Sequence, residues 1–242
     1  MISLYHSVTD KRPTSVLTKA EAYSLFKSAA FAAQTQQVQA DFQAELTSDF
    51  PEGKSHYQEA KRKLLPAVCF AGNIDRSEDE QKGFVHSGLL TLDIDENSQE
   101  ELQRFFQLVQ SGKLVYVEAA GRSVSGFLTG AMWLNIRVEI PSGKLPSKLQ
   151  KLLSLNGKES RYQMLSALQA AYWSAIAYLL NTEVGIIAGK AGKDLKRLRY
   201  VAYDPDLYFN DHAEVFSMET LAFSLEKQKA EAEVSTFESL SI

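Results

Sequence analysis

Leu90, Leu92 and Ile94 alternate with Thr91, Asp93 and Asp95, a period of two that predicts a half-buried strand ending on two carboxylates. Side chains on a strand alternate faces, so Asp93 and Asp95 share one side, roughly 7 Å apart at Cα. Helical spacing appears on either side of this strand. Thr18 with Glu21 forms a capping-box signature that opens a long helix to about Leu46, with Ala22, Phe26, Ala29, Ala30 and Ala33 as a thin apolar stripe on the outside of the fold. Ser98 with Glu101 opens a second helix, in which Leu102, Phe105, Phe106 and Val109 share a face and Gly112 marks the end. A third runs from about Ser160 to Asn181 on Leu165, Leu168, Tyr172, Ile176 and Leu179. Shorter helices are predicted over 56–63 and 147–155, and strands over 2–5, 114–119, 133–140, 183–187 and 200–203, with an extended apolar segment at 64–72. Loops are expected at 48–55, 121–126 and 204–206, and the 75–83 stretch is charged. This mixture lacks a regular βαβ alternation and implies an α+β fold, a sheet with helices packed against it.

Composition narrows the reading. With 242 residues, 45% of them hydrophobic and 23% charged, the chain can build one large core. Residues 1–220 are expected to form one domain and residues 221–242 an acidic, mobile helical tail. The net charge of −4 means that any nucleic-acid surface must be a local basic patch on an acidic body. Cys69 is the only cysteine, which excludes a disulfide framework and a cysteine-based zinc site and fits a cytoplasmic setting. The first residues lack the basic and apolar regions of a signal peptide. The most apolar stretch, Leu165 to Leu180, is interrupted by Ser166, Gln169 and Ser174 and reads as a buried helix rather than a membrane span.

Three segments could carry chemistry. Two carboxylates on one face repel unless a cation sits between them, and Mg²⁺ is commonly held by one or two carboxylates plus phosphate oxygens. Read alone, Asp93-Ile94-Asp95 is equally a solvated strand end. The 121–126 loop has the makings of a phosphate cradle: Arg122 for charge, Ser123 and Ser125 for hydroxyls, Gly126 for close backbone approach. Its plain alternative is a strand-to-strand turn. From Lys190 to Arg199 the chain carries Lys190, Lys193, Lys196, Arg197 and Arg199 against the single acid Asp194, suited to a triphosphate or a nucleic-acid backbone or to simple solvation. If the backbone is extended from Lys196, Arg197 and Arg199 share a face. Lys61-Arg62-Lys63 reads as an exposed helix face, and His86 is a candidate proton shuttle or a structural histidine.

Four stretches carry a resemblance. Leu65-Pro66-Ala67, His86 to Asp95, Ser123-Val124-Ser125-Gly126 and Arg197 to Asn210 follow one another as in the VirE N-terminal-like domain, and the chain resembles that family from about residue 2 to 216. The family occurs in Bacteroides-type genomes, mobile elements and phages and belongs to the archaeo-eukaryotic primase (primase-polymerase) superfamily. The resemblance implies an RNA-recognition-like antiparallel sheet with packed helices and a smaller N-terminal α/β unit. It implies Mg²⁺ or Mn²⁺ on Asp93 and Asp95, with Asp194 as candidate third acid, and attack by a primer 3′-hydroxyl on the α-phosphorus of a nucleoside triphosphate. By the same resemblance Ser123, Ser125 and Gly126 form the triphosphate loop; with the charged side chains above, the expected nucleotide site is Arg122, Ser123, Ser125, Gly126, Lys196, Arg197 and Arg199. The chain departs from the family pattern in three places, the first being that the Ser-Gly-x-Gly-Leu-Lys continuation of close relatives stands here only as Ser125-Gly126-Phe127-Leu128-Thr129-Gly130. No histidine follows Ser123 or Ser125, and the position where relatives carry a third acid falls on Gly189. Two expectations follow: a DNA-directed nucleotidyltransferase working on a DNA or RNA template, or a catalytically degenerate nucleic-acid-binding or protein-recruiting module of a phage or mobile element. Either implies partners encoded elsewhere, such as a helicase, and no membrane.

Overall fold

The computed structural model describes residues 1–47, 55–77 and 83–239. The chain opens with β1 (Ile2–Tyr5), β2 (Ser15–Leu17), α1 (Lys19–Lys27), a 3-10 turn at Ala29–Phe31, α2 (Ala32–Thr47), α3 (His56–Leu64) and β3 (Ala67–Cys69). Next come β4 (Leu89–Ile94), α4 (Gln99–Gln110), β5 (Val117–Arg122), the single turn α5 (Gly126–Thr129), β6 (Met132–Arg137), α6 (Ser147–Leu152) and α7 (Arg161–Leu179). β7 (Arg199–Tyr200), β8 (Tyr208–Phe209) and α8 (Met218–Ser239) complete it. Two four-stranded antiparallel sheets result, in the orders β2-β1-β3-β7 and β4-β6-β5-β8, so the fold is α+β.

The alternation in β4 explains the layers. Leu90, Leu92 and Ile94 join Leu134 and Ile136 of β6 in a core with Leu102, Phe105 and Val109 of α4 and Leu165, Leu168 and Tyr172 of α7. The opposite face presents Leu89, Ala119 and Trp133 to Ile2, Phe26, Val68 and Phe70 of the N-terminal layer. The Trp133 ring lies 5.1 Å from that of Phe26 and 5.4 Å from that of Phe70. Asp93 pairs with Trp133 across the β4–β6 ladder, so its side chain is on the face turned toward the first sheet. The acid pair therefore stands between the layers.

Both predicted capping boxes are formed, Thr18 with Glu21 and Ser98 with Glu101. The single helix expected from Thr18 to Leu46 is broken at Ser28, which is extended (φ −76°, ψ 122°) and caps the 3-10 turn by accepting the Ala30 N–H. The Phe26 carbonyl is taken instead by the Asp204 N–H at 2.7 Å, a long-range bond that helix propensity does not register. The strand expected at 183–187 does not form: Glu183 and Val184 end a π-helical turn, Leu180–Val184, closed by Gly185 at φ 75°, and 185–187 have no regular structure. Its β-branched residues finish a helix because the preceding turns already run into it. β5 lies three residues later than expected, and Gly121 and Arg122 belong to it, so the 121–126 loop shrinks to Ser123–Ser125. The strand expected at 133–140 ends at Arg137 and that at 200–203 is Arg199–Tyr200, while β8 was not foreseen. The expected 48–55 loop and the 75–83 stretch fall largely outside the described residues. The acidic tail is helical as far as Ser239, and Leu221 and Ala222 at its start are buried in the main core. Farther along, Glu226 pairs with Lys148 at 2.9 Å. Among the described residues no helix is long and apolar enough to cross a membrane.

Gly126 has a steric reason to be glycine. A methyl group there would stand 1.8 Å from the Ala131 carbonyl oxygen. Gly126→Ala is expected to destabilise the protein by about 1–3 kcal/mol, the cost of overpacking against backbone, measured as a lowered urea midpoint.

Candidate functional site

The end of β4, the segment leading into β7, the Ser123–Ser125 turn and α3 enclose a polar pocket of about 400 Å³. Asp93, Asp95, Asp194, Ser123, Ser125, Lys196, Arg197 and Arg199 all line it, so eight of the ten expected site residues come together. Two do not. Arg122 is paired opposite Met132 rather than Trp133, which turns it to the other face of the sheet. There it pairs with Asp206 at 3.3 Å and lies over the rings of Phe106 and Phe127. Gly126 starts α5 behind the turn, its N–H donated back to Ser123. The Ser123 N–H goes to the Ala131 carbonyl at 2.9 Å. These two N–H groups hold the turn itself, and what the turn offers the pocket is its hydroxyls.

Asp93 is buried, and its two oxygens accept from different arginines: Oδ1 from Arg199 Nη2, and Oδ2 from Arg197 Nη2 at 3.4 Å. Burial pushes the Asp93 carboxyl up, but the Arg199 and Arg197 guanidiniums outweigh it and hold the group below the ordinary carboxylate value. Asp95 accepts no side-chain hydrogen bond among the described residues. Burial, then the Asp93 charge and Glu96, raises its pKa. Asp194 stands on the rim, where Oδ1 accepts the Lys196 N–H at 2.8 Å and shapes the turn into β7.

Gly189 explains how the acids are packed. Its N–H donates to the Asp93 carbonyl at 2.7 Å. A methyl group on it would meet Asp95 Oδ1 at 2.9 Å and Asp93 Cβ at 3.4 Å. The position at which the resemblance looks for a third acid thus abuts the pair, and a glycine there supplies no ligand. Asp194 does not take that place: among the described residues no group of three or more His, Cys, Asp or Glu side chains is placed to hold a metal ion. With both its oxygens engaged by guanidiniums, Asp93 as placed does not fit a divalent cation.

Sequence reasoning left four contributors out of the expected site. Lys61 of α3 reaches the pocket, with Nζ 4.4 Å from the ring centroid of Tyr57 and 5.0 Å from that of Tyr200. Burial, then Arg199, Arg197 and Arg62, lowers its pKa to about 8. Tyr57 and Tyr200 line the same wall. Arg76 completes the rim, anchored by Nη1 on the carbonyls of Val8 (2.6 Å) and Asp10 (3.1 Å). The basic triplet was visible, but which of its members turns inward depends on how α3 docks. For Arg76 the sequence carries no signal beyond its charge. His86 lies outside the pocket: Nδ1 accepts the Gly88 N–H at 3.0 Å and Nε2 stands 3.2 Å from Gln169 Oε1. Burial lowers its pKa to about 4, so it is a neutral structural histidine at pH 7.

The pocket is therefore cationic within an acidic chain. Lys61, Arg76, Lys196, Arg197 and Arg199 face Asp93, Asp95 and Asp194. Arg199 also carries a buried Nε–H with no acceptor among the described residues. Buried donors without an acceptor are rare and call for a water, an ion or a ligand to complete them.

A family model described as BT4734-like, N-terminal domain, matches residues 59–209, more than half of the chain. The chain belongs to this BT4734-like family. Comparison with curated proteins and with solved structures gives no match. The BT4734-like match begins within α3 and ends at β8, so it contains all but two of the residues that line the pocket; Val8 and Tyr57 lie outside it. β1, β2, α1, α2 and α8 lie outside the match as well.

Proposed function

We propose that the pocket between the two sheets binds the phosphate groups of nucleotides and nucleic acid. The buried Arg199 Nε–H carries this reading: a donor without an acceptor, in a pocket on which four further cations converge. A guanidinium offers a planar fork that matches phosphate oxygens two at a time. The resemblance to the VirE N-terminal-like domain, and through it to the primase-polymerase superfamily, supports a nucleotide as the source of those phosphates and a cytoplasmic setting. A second reading, nucleotidyl transfer on a nucleic-acid template, is favoured by Asp95, a carboxylate open to the same pocket as the serine hydroxyls.

Fluorescence anisotropy with a labelled nucleoside triphosphate and a labelled single-stranded oligonucleotide tests the proposal. Saturable binding of the triphosphate is expected, with competition by the oligonucleotide that weakens as salt rises. Absence of saturable binding by both at low salt defeats it. Primer extension with Mg²⁺ or Mn²⁺ tests the second reading, which requires synthesis that Asp95→Ala removes.

The affinity also has an expected pH dependence. Lys61 is protonated below its pKa of about 8 and neutral above it. Anion binding is therefore strongest below pH 7 and falls as pH rises through about 8, by roughly threefold to tenfold for a partly exposed charge contact. Lys61→Met should flatten that profile in the same assay.

A further inference from the structure

We propose that Asp93 is the resident counter-anion of Arg197 and Arg199, a carboxylate that a ligand phosphate displaces, and not a metal ligand. The inference rests on the phosphate-binding reading and assigns the role of the most buried acid in the pocket. Three observations lead to it.

Asp93 is held by backbone on both sides. It pairs with Trp133 across the β4–β6 ladder, and its carbonyl accepts the Gly189 N–H. The carboxylate is thus a fixed point to which the arginines come. Arg197 lies just before the two-residue strand β7, and its side chain is 49% exposed, so it can exchange partners without unfolding anything.

The match between carboxylate and arginines is incomplete. Asp93 takes one nitrogen of each guanidinium and leaves the buried Arg199 Nε–H unpaired. A phosphate, with more oxygens than a carboxylate, can satisfy the Nε and Nη2 donors together. The resident anion is therefore a partial substitute for a better one.

Charge argues the same way. A divalent cation on Asp93 would stand among Arg197, Arg199 and Lys61, three like charges at close range in a poorly solvated site. Gly189, against the pair, adds no ligand to offset that repulsion. Asp95, by contrast, forms no ion pair with an arginine among the described residues.

The two roles give opposite signs for one substitution. If Asp93 competes with the ligand, Asp93→Asn removes a competing charge and leaves two guanidiniums, that of Arg199 buried, in need of an anion. Inorganic pyrophosphate, titrated calorimetrically in EDTA, should then bind Asp93→Asn about threefold to tenfold more tightly than wild type. It should also raise the melting temperature of the variant by more than that of wild type. Arg197→Gln should weaken pyrophosphate binding. Weaker binding to Asp93→Asn in EDTA overturns the proposal. So does stoichiometric uptake of Mn²⁺ alone by the wild-type protein, followed by electron paramagnetic resonance. The manganese measurement needs no variant and decides the matter even if Asp93→Asn does not fold. If pyrophosphate binds neither protein, the phosphate-binding reading itself fails and takes this one with it. If it binds wild type only with Mn²⁺, the reading survives and the counter-anion role does not.

Discussion

Arg199→Ala lowers the affinity for nucleoside triphosphate by about 30-fold to 4,000-fold, the range expected when one partner of a buried charge pair is truncated at a cost of about 2–5 kcal/mol. The side chain is 11% exposed and its Nη2 donates to Asp93, so the change does two things at once. It removes the fork offered to the ligand, and it leaves a buried carboxylate facing only Arg197 at 3.4 Å. The melting temperature should fall as well, and the two effects are separated with Arg199→Lys. A lysine keeps the positive charge beside Asp93 and loses the planar pair of donors. It should restore most of the melting temperature and little of the affinity. Full affinity in Arg199→Lys would mean that charge alone, and not the fork, recognises the phosphate.

Glu118→Ala destabilises the protein by about 3–5 kcal/mol, the range for removing one member of a buried ion pair. Glu118 is fully buried on β5, next to an irregularity in the pairing with β6. Its Oε2 accepts from Arg137 Nε and from Lys19 Nζ at 3.0 Å, and its Oε1 from the Tyr23 hydroxyl at 2.9 Å. The network continues through Asn135, which donates to Tyr23 at 3.1 Å and accepts from Thr91 at 2.6 Å. Without the carboxylate, two cations and a phenol lose their common acceptor at the seam between α1 and the second sheet. Chemical denaturation gives the measurement. A loss under 1 kcal/mol would show that water reaches the seam and replaces the acid. Because the damage lies outside the pocket, the folded fraction of Glu118→Ala should bind nucleotide with nearly normal affinity.

These two residues mark where the sequence is legible and where it is not. β4 could be read because one face of it is uniformly apolar, and period-two patterning reports local burial. The capping boxes at Thr18 and Ser98 could be read because their hydrogen bonds span only three residues. Glu118 could not: an acid between Val117 and Ala119 has the pattern of a solvent-facing strand position, and only Lys19 and Arg137 from elsewhere make it a core residue. The same holds for the acid pair. That Asp93 and Asp95 open into one pocket follows from alternation and from the end of the strand. That Asp93 is held by Arg197 and Arg199, 104 and 106 residues away, depends on how β7 joins the first sheet. Arg122 was misplaced by the same logic, since a strand three residues later than expected carries it to the opposite face. Lys61 needed the docking angle of α3, for which a basic triplet gives no direction.

Arg76 grips the carbonyls of Val8 and Asp10, and main-chain oxygens are common to every amino acid. The rim of the pocket is thus built from a segment outside the family match without depending on which side chains that segment carries. Relatives need keep only the main-chain course at residues 8 and 10 to anchor the same cation on the rim. A comparison that looks only for shared letters would miss that kinship, while the position of the arginine would reveal it.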